Sequence, residues 1–413
     1  MLSATEAKLI QDVRELARTR FVERASRYDR TGTFCAEDIA ELQALRIPGI
    51  GLPDEFGGMN VSTEAMVRVV EEVAYGDASA AVAINMHFVA ADLLLLAPTG
   101  PAVPVLKDIA ENNALICGPG SASLTALDVR KSGYTARNEG DHIVVNGRGG
   151  FASMSEGAKY VFLRGFMEGS DFESPTLFFT TPTLDTPGIS NARNWDAMGL
   201  RATSSHDIVC EDARIPKTNA LVVPGAFMAE LAERTSALDP VARQRRARGL
   251  LGILGIWLGL ARAAVDESTR YIQARYGVGV GPNPLPGVRT AGYRSEEPWA
   301  QARLGAIAHQ VRTSGIVLAE MIASADRPYE SQEAFAAALG HTIYELRRMT
   351  EEVATDIIKL CGAHAYAASS PLERLHRDLM GCVAMAWRTD LLVQELGKAQ
   401  LGMPFTVGGP VGI

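Results

Sequence analysis

Arg374-Leu-His-Arg-Asp378-Leu-Met-Gly-Cys-Val-Ala-Met-Ala386-Trp-Arg-Thr-Asp390 lies within a helical pattern that runs from Pro371 to Leu401. It joins a charged pair, Arg377-Asp378, to a mostly apolar segment that ends in Met385-Ala386-Trp387-Arg388. Ala386 stands eight positions after Asp378, and its methyl group can neither accept nor donate a proton. The nearest carboxylate is Asp390, one helical turn further on.

Three long helical patterns precede this stretch: Leu250 to Arg275, Trp299 to Ala325 and Ser331 to Cys361. In the first, Gly252, Gly255 and Gly259 recur at three and four residues, a spacing that lets another backbone approach closely. Its apolar run, Leu250 to Ala264, falls short of the ~20 residues a bilayer needs, so it reads as a buried helix. Gly277 to Glu297, rich in Gly and Pro, reads as a loop.

Residues 1 to about 110 also read as helical, with an amphipathic pattern from Glu6 to Tyr28 and another from Ser62 to Val89. Between the helical blocks the pattern changes. His142-Ile-Val-Val-Asn-Gly predicts a strand closed by an Asn-Gly turn. Tyr160-Val-Phe-Leu, Thr176-Leu-Phe-Phe-Thr-Thr and Asp207-Ile-Val-Cys are further strand candidates. The reading is an α+β, mostly helical chain: a helical domain over 1–113, a β domain over 114–225 and a helical bundle over 226–413.

The composition bounds the function. The 413 residues are 47% hydrophobic and 21% charged, ordinary values for a globular protein. A net charge of -8 argues against nonspecific nucleic-acid binding. The N-terminus has no signal-peptide pattern, and nothing reads as a membrane span. Five scattered cysteines without a Cys-x-x-Cys pair predict reduced thiols in a cytoplasmic protein. His, Cys and carboxylates show no metal-ligand spacing.

The stretch around Arg377-Asp378 resembles the C-terminal active-site segment of the acyl-CoA dehydrogenase superfamily, and other segments resemble it in the same order. They are Gly49-Ile-Gly-Leu-Pro-Asp-Glu-Phe-Gly-Gly58, Leu115 to Ser123, Asn146 to Ser153, Trp195 to Asp207, and Tyr271 to Gly277. The resemblance implies an N-terminal helical domain, a middle β-barrel and a C-terminal four-helix bundle, assembled as a homotetramer or homodimer. It also implies a flavin, FAD or FMN in its place. Cys117, Gly118 and Ser123 would lie on a loop capping the ring. Phe151 would pack on the isoalloxazine, and Ser153 would donate a hydrogen bond to it. Arg275 would meet the cofactor phosphates, with Lys359 and Gly362 standing where the family has a second pyrophosphate contact. Each residue also has a plain structural reading, as core Phe, surface Ser or solvated Arg. The basic run Arg243 to Arg248 reads as a solvated helix start or a phosphate contact.

In the dehydrogenases a glutamate at the Ala386 position removes the α-proton of an acyl thioester. Some members place it on the earlier helix instead, which here falls near Gly249. Neither position holds a carboxylate, so Asp390 is the remaining candidate base. A second branch of the superfamily takes reduced flavin from a flavin reductase and uses O2 on small organic substrates. It needs no such base, only a dry pocket and a hydrogen-bond donor near the reacting oxygen. His87, on an apolar helix, is the candidate donor. Met385, Ala386, Trp387 and Arg388 would line the substrate pocket, with Trp387 reshaping it or packed in the bundle. Three functions remain: a monooxygenase, an acyl-thioester dehydrogenase with a relocated base, and a catalytically silent partner subunit.

Overall fold

Ser3 and Glu6 start the first helix by capping each other: each side chain accepts a hydrogen bond from the other's backbone N–H. The same Glu6 carboxylate accepts from the N–H of Ser62, the residue that caps a later helix, at 2.7 Å. The N-terminal layer comprises α1 (Ala4–Leu16), α2 (Val22–Thr31), α3 (Ala36–Ala44), α4 (Thr63–Gly76), α5 (Ala78–Leu96) and α6 (Ala102–Asn112). This is a computed structural model, and it describes residues 2–98, 100–120, 133–170, 175–227, 230, 240–279, 290–325, 331–385 and 387–405.

The amphipathic pattern from Glu6 to Tyr28 is interrupted by a π turn over Ala17–Phe21. The extra residue rephases the apolar stripe, so Ala17 and Phe21 are both fully buried. The pattern from Ser62 to Val89 is likewise two helices. Asp77 breaks it, with extended backbone and a carboxylate that accepts from the N–H of Ser79 at 2.8 Å.

The middle strands are β1 (Ile116–Cys117), β2 (Gly133–Glu139), β3 (His142–Ala152), β4 (Tyr160–Val161), β5 (Leu163–Met167), β6 (Thr176–Thr180), β7 (Ile189–Asn191), β8 (His206–Pro216) and β9 (Ala220–Pro224). Seven form one sheet in the order β7-β8-β3-β2-β5-β6-β9, and β1 pairs separately with β4. Only β2 and β5 run parallel within the seven. Among the described residues the sheet has two ends, β7 and β9, rather than a closed ring of hydrogen bonds.

Asn146-Gly147 is not the expected turn. The chain reverses at Gly140-Asp141, and β3 continues through Asn146-Gly147 with a bulge. Asn146 Oδ1 accepts from the N–H of Asp212 across the bulge. Gly147 has φ +137°, and a Cβ there would lie 2.1 Å from the carbonyl oxygen of Gly133. Local turn preference yields to the sheet register.

The C-terminal layer comprises α7 (Pro240–Ala274), α8 (Pro298–Ala325), α9 (Gln332–Cys361), α10 (Pro371–Ala384) and α11 (Thr389–Gln400). The segment expected as a loop after α7 contains a hairpin, β10 (Tyr276–Gly279) with β11 (Thr290–Tyr293). Tyr276 and Tyr293 stand opposite each other with ring centroids 5.2 Å apart, a cross-strand aromatic pair that favours pairing. The pattern from Pro371 to Leu401 is two helices, because α10 ends at Ala384 and α11 begins at Thr389.

Helix α7 lies against α4 and α5 through the glycines singled out in the sequence. A Cβ on Gly252 would lie 1.9 Å from Asn85 Oδ1, and one on Gly259 would lie 2.1 Å from the carbonyl oxygen of Glu71. Helices α5 and α7 are long and apolar enough to cross a bilayer, against the expectation from the run length. Each is 78% buried over its apolar window, as core helices are.

A buried acid marks the junction of α2, α3 and α5. Asp38 lies 2.9 Å from Arg24 and beside Asp77. Burial, and then the Asp77 charge, push the Asp38 carboxyl up to about 8 against the pull of Arg24. Its folded pKa stands above its unfolded one, so its contribution to stability is complete below pH ~4 and is lost as pH rises toward 8. In Asp38→Asn this slope should disappear. Chemical denaturation at pH 5 and pH 8 checks it: the variant should gain stability relative to the parent between the two. An unchanged difference would show that Asp38 does not titrate there.

Candidate functional site

The parallel β1–β4 pair delivers Gly118-Pro119-Gly120 onto β3, where the N–H of Gly120 donates to the carbonyl of Gly150 at 3.2 Å. Between Gly149 and Ala152 the β3–β8 register slips a second time. Phe151 sits in that bulge at φ +59°, a left-handed conformation costly for a residue with a Cβ. The slip turns its ring outward, 44% exposed, rather than into the core. Trp195 meets it edge-on, with centroids 6.0 Å apart. The two rings form an aromatic surface beside open backbone at Gly120, where a Cβ would meet nothing within 4 Å.

Behind Phe151 the polar groups converge. The backbone N–H of Ser153 donates to the Phe151 carbonyl at 2.9 Å. The Ser153 hydroxyl is 2.8 Å from that of Ser205, which is 2.7 Å from that of Thr203. His206 Nδ1 accepts from the N–H of Trp195 at 2.8 Å, and His206 Nε2 donates to Glu156 at 2.8 Å. His206 thus holds the Trp195 loop against β8. The sequence segment Arg201-Ala-Thr-Ser-Ser-His206 carried this signal, but Trp195, Thr203, Ser205 and Glu156 were not singled out from it.

Cys117 is fully buried on β1, and burial pushes its thiol up to about 12, so it packs as a small apolar side chain. Gly118 lies against Phe162. Ser123 lies outside the described residues.

A second cluster forms at the end of α7. Arg275 Nη2 donates to His364 Nε2 at 2.8 Å, and Arg294 donates to the carbonyls of Leu360 and Cys361, which end α9. Gly362 follows at φ +73°. Arg275 and the 359–364 segment, far apart in sequence, therefore meet in one place. Lys359 is ion-paired to Asp356 at 3.1 Å. Among the described residues, no hydrogen bond, ion pair or ring contact joins this cluster to Phe151 and Ser153. The side chains of Arg243, Arg245 and Arg246 lie outside the described residues, and Arg248 is buried against Asp92 at 2.8 Å.

The third region is the break between α10 and α11. Arg347 of α9 donates to the carbonyls of Cys382 and Met385 at 3.3 and 3.1 Å, capping α10 from the side. Its Nε faces Glu351 and Thr389. Arg347 shares the apolar stripe of α9 with Ile343, Leu346 and Ala354, and a cation on such a stripe was the readable sign that buried acceptors face it. Trp387 is packed in the bundle, 5% exposed and edge-on to the fully buried Trp257 at 6.0 Å. Met385 is half-buried, and Ala386 lies outside the described residues.

Several candidates are placed away from any role as base or donor. Asp390 is exposed and paired with Arg388 at 2.6 Å, which holds its carboxyl below the usual range. The Gly249 position is closed, since a Cβ there would lie 2.5 Å from Val89. His87 is fully buried with both ring nitrogens engaged: Nε2 donates to the Pro48 carbonyl at 2.9 Å, and Nδ1 accepts from the N–H of Ile116 at 3.1 Å. Neither nitrogen is left for an oxygen on a ligand. Arg377 and Asp378 do not pair with each other. Arg377 takes Asp29 and Glu373, while Asp378 takes Arg374 and the N–H of Leu200. Among the described residues, no group of His, Cys, Asp and Glu is arranged to hold a metal.

The chain resembles known proteins over most of its length. A model of the acyl-CoA dehydrogenase N-terminal domain matches residues 3–99, and one of the acyl-CoA dehydrogenase C-terminal domain matches residues 251–385. The mitochondrial short-chain specific acyl-CoA dehydrogenase of Rattus norvegicus is 24% identical over 385 residues, covering 91% of this chain and 85% of that protein. The L-evernosamine nitrososynthase of Micromonospora sp. is 25% identical over 369 residues, covering 85% of this chain and 80% of that protein. The dibenzothiophene monooxygenase TdsC from Paenibacillus sp. A11-2 shares the fold with a TM-score of 0.80 at 18% identity, covering 96% of this chain and 98% of that one.

The assignment of His87 as a structural peg is testable. Burial holds its imidazole down to about 4, so folding favours the neutral ring. That stability is complete above pH 6.5 and is lost as pH falls toward 4. His87→Phe orphans two buried backbone groups and should cost about 2–4 kcal/mol at pH 7. It should also flatten the acid limb of the stability profile. Denaturation midpoints from pH 4 to pH 8 give both quantities, and wild-type stability in the variant would refute the peg.

Proposed function

We propose a monooxygenase reading for this chain, which belongs to the acyl-CoA dehydrogenase family, whose members are flavin-dependent oxidoreductases. The observation that carries the reading is the absence of a usable carboxylate among the described residues at either position where the dehydrogenases keep their base. Ala386 replaces one, the Gly249 position is closed by Val89, and Asp390 points to water with Arg388. Proton abstraction next to a thioester carbonyl requires a positioned base. Oxygen transfer to a nucleophilic substrate does not.

The residues present fit a flavin. The exposed ring of Phe151, flanked by Trp195, offers an aromatic face to a flat heterocycle. The Ser153 hydroxyl, held by Ser205 behind Phe151, would donate to that heterocycle, and Arg275 would supply positive charge for a phosphate. The flavin is FAD, or FMN as in an FMN-bound form of TdsC. When bound in reduced form, the flavin supplies two electrons with which O2 gives one oxygen atom to the substrate and one to water.

The chain's own part is to seat the ring, exclude water and hold the substrate. Phe151 and Trp195 seat the ring. The Trp257–Trp387 pair and Arg347 hold the end of α10, beyond which Met385, Ala386 and Arg388 would line the substrate pocket. The substrate is a small organic molecule, such as an aromatic, an amine or a sulfur compound. A separate flavin reductase delivers the electrons, and the enzyme works in the cytoplasm as a homotetramer or homodimer.

The decisive experiment uses purified, flavin-loaded protein. Without oxygen, a panel of acyl-CoAs should leave the flavin's visible absorbance unchanged. After reduction through a flavin reductase and NADH, the protein should consume O2 in a substrate-dependent way. Bleaching by an acyl-CoA would overturn the monooxygenase reading in favour of a dehydrogenase with a relocated base.

A further inference from the structure

The buried hydroxyls of Ser153, Ser205 and Thr203 form a chain of hydrogen bonds. They are 6%, 3% and 1% exposed. Ser153 to Ser205 is 2.8 Å and Ser205 to Thr203 is 2.7 Å, and either oxygen of each pair is able to donate. No other described side-chain or backbone atom hydrogen-bonds to these three hydroxyls. Each carries one proton. A buried hydroxyl proton without an acceptor costs free energy comparable to a lost hydrogen bond.

If Ser153 donates inward, the Ser205 proton passes to Thr203, and the Thr203 proton is left without an acceptor among the described residues, at the most buried end. If both ends donate to Ser205, the Ser205 proton is stranded instead. The remaining arrangement runs from Thr203 to Ser205 to Ser153. It satisfies both inner protons and leaves one over, on Ser153. That end of the chain borders the outward-turned Phe151, whose carbonyl accepts from the N–H of Ser153 at 2.9 Å.

We infer that Ser205, backed by Thr203, is a positioning residue that fixes the Ser153 hydroxyl as a hydrogen-bond donor to the ligand seated on Phe151. This rests on the flavin reading above. The ligand atom it selects is an acceptor, an unprotonated ring nitrogen or a ring carbonyl oxygen of the oxidised flavin. Without Ser205, the Ser153 hydroxyl loses its inner donor and is free to rotate. The Thr203 proton is also orphaned.

The test is a fluorescence titration of the full-length apoprotein with FMN, together with the visible absorption spectrum of the bound flavin. Thermal melts check that each variant folds. Ser205→Ala should bind FMN about fivefold more weakly, the effect of one hydrogen bond. Its flavin band should shift as that of Ser153→Ala does, and the double variant should be no worse than Ser153→Ala alone. Ser205→Thr keeps the hydroxyl and should restore both affinity and spectrum. Normal FMN affinity and spectrum in Ser205→Ala, with both changed in Ser153→Ala, would overturn the relay and leave the flavin site standing. Additive losses in the double variant would also overturn it, because Ser205 would then act independently of Ser153. If neither single variant alters FMN binding or its spectrum, the flavin reading of this site falls as well.

Discussion

The close approach of α7 to α4, made where Gly259 faces the carbonyl of Glu71, sets the arrangement around it. Any side chain at Gly259 would overlap that carbonyl, so the helices meet backbone to backbone. Two buried carboxylates, Glu71 and Glu72, are thereby held next to Arg262 of α7, with Arg14 and Arg18 reaching Glu72 from the N-terminal helices. Buried ion pairs of this kind add little net stability, but losing one partner is costly, so they discriminate between registers. With α7 fixed in register, Trp257 is placed in the bundle, and Trp387 packs on it. The end of α10 is therefore located by a contact nearly 130 residues earlier in the chain.

The loop from Trp195 to His206 ties the β domain to the helices. Asp378 accepts from the N–H of Leu200, Arg377 donates to the Met198 carbonyl, and Arg201 donates to the Asp29 carbonyl. Burial pushes the Asp378 carboxyl up to about 6 despite Arg374, so the clamp strains against desolvation and is held by its hydrogen bonds. The same loop leads from Trp195 at one end to Thr203, Ser205 and His206 at the other. The groups that meet the aromatic surface thus flank, on the same loop, the groups that fasten the sheet to the bundle. Their positions inherit the rigidity of that clamp, which a site on a free loop would lack.

The helical spans and the glycine spacing of α7 were legible because both are periodic and local. The sheet was legible as a set of strands but not as a register. Asn146-Gly147 carries the strongest short turn signal in the chain, yet it forms a bulge because its neighbours pair across β2 and β8. The same kind of slip exposes Phe151, so its composition alone pointed to the core while its backbone turns it outward. Arg377 and Asp378 are adjacent in sequence and read as a pair. On a helix adjacent residues point apart, and each finds a partner elsewhere. The meeting of Arg275 with His364 depends on how α7 and α9 pack, which no local pattern records.

Scaffold and chemistry separate at the break after α10. A helix end costs unsatisfied carbonyls, and here Arg347 supplies the donors from a third helix. That leaves the break stable without any carboxylate of its own. A proton-abstracting carboxylate needs the opposite setting: partial burial in an apolar pocket, which raises its pKa and removes the water that competes for it. Asp390 has neither, since it faces solvent and Arg388 favours its charged form. The fold of the acyl-CoA dehydrogenases is therefore kept here by contacts that need no carboxylate at position 386.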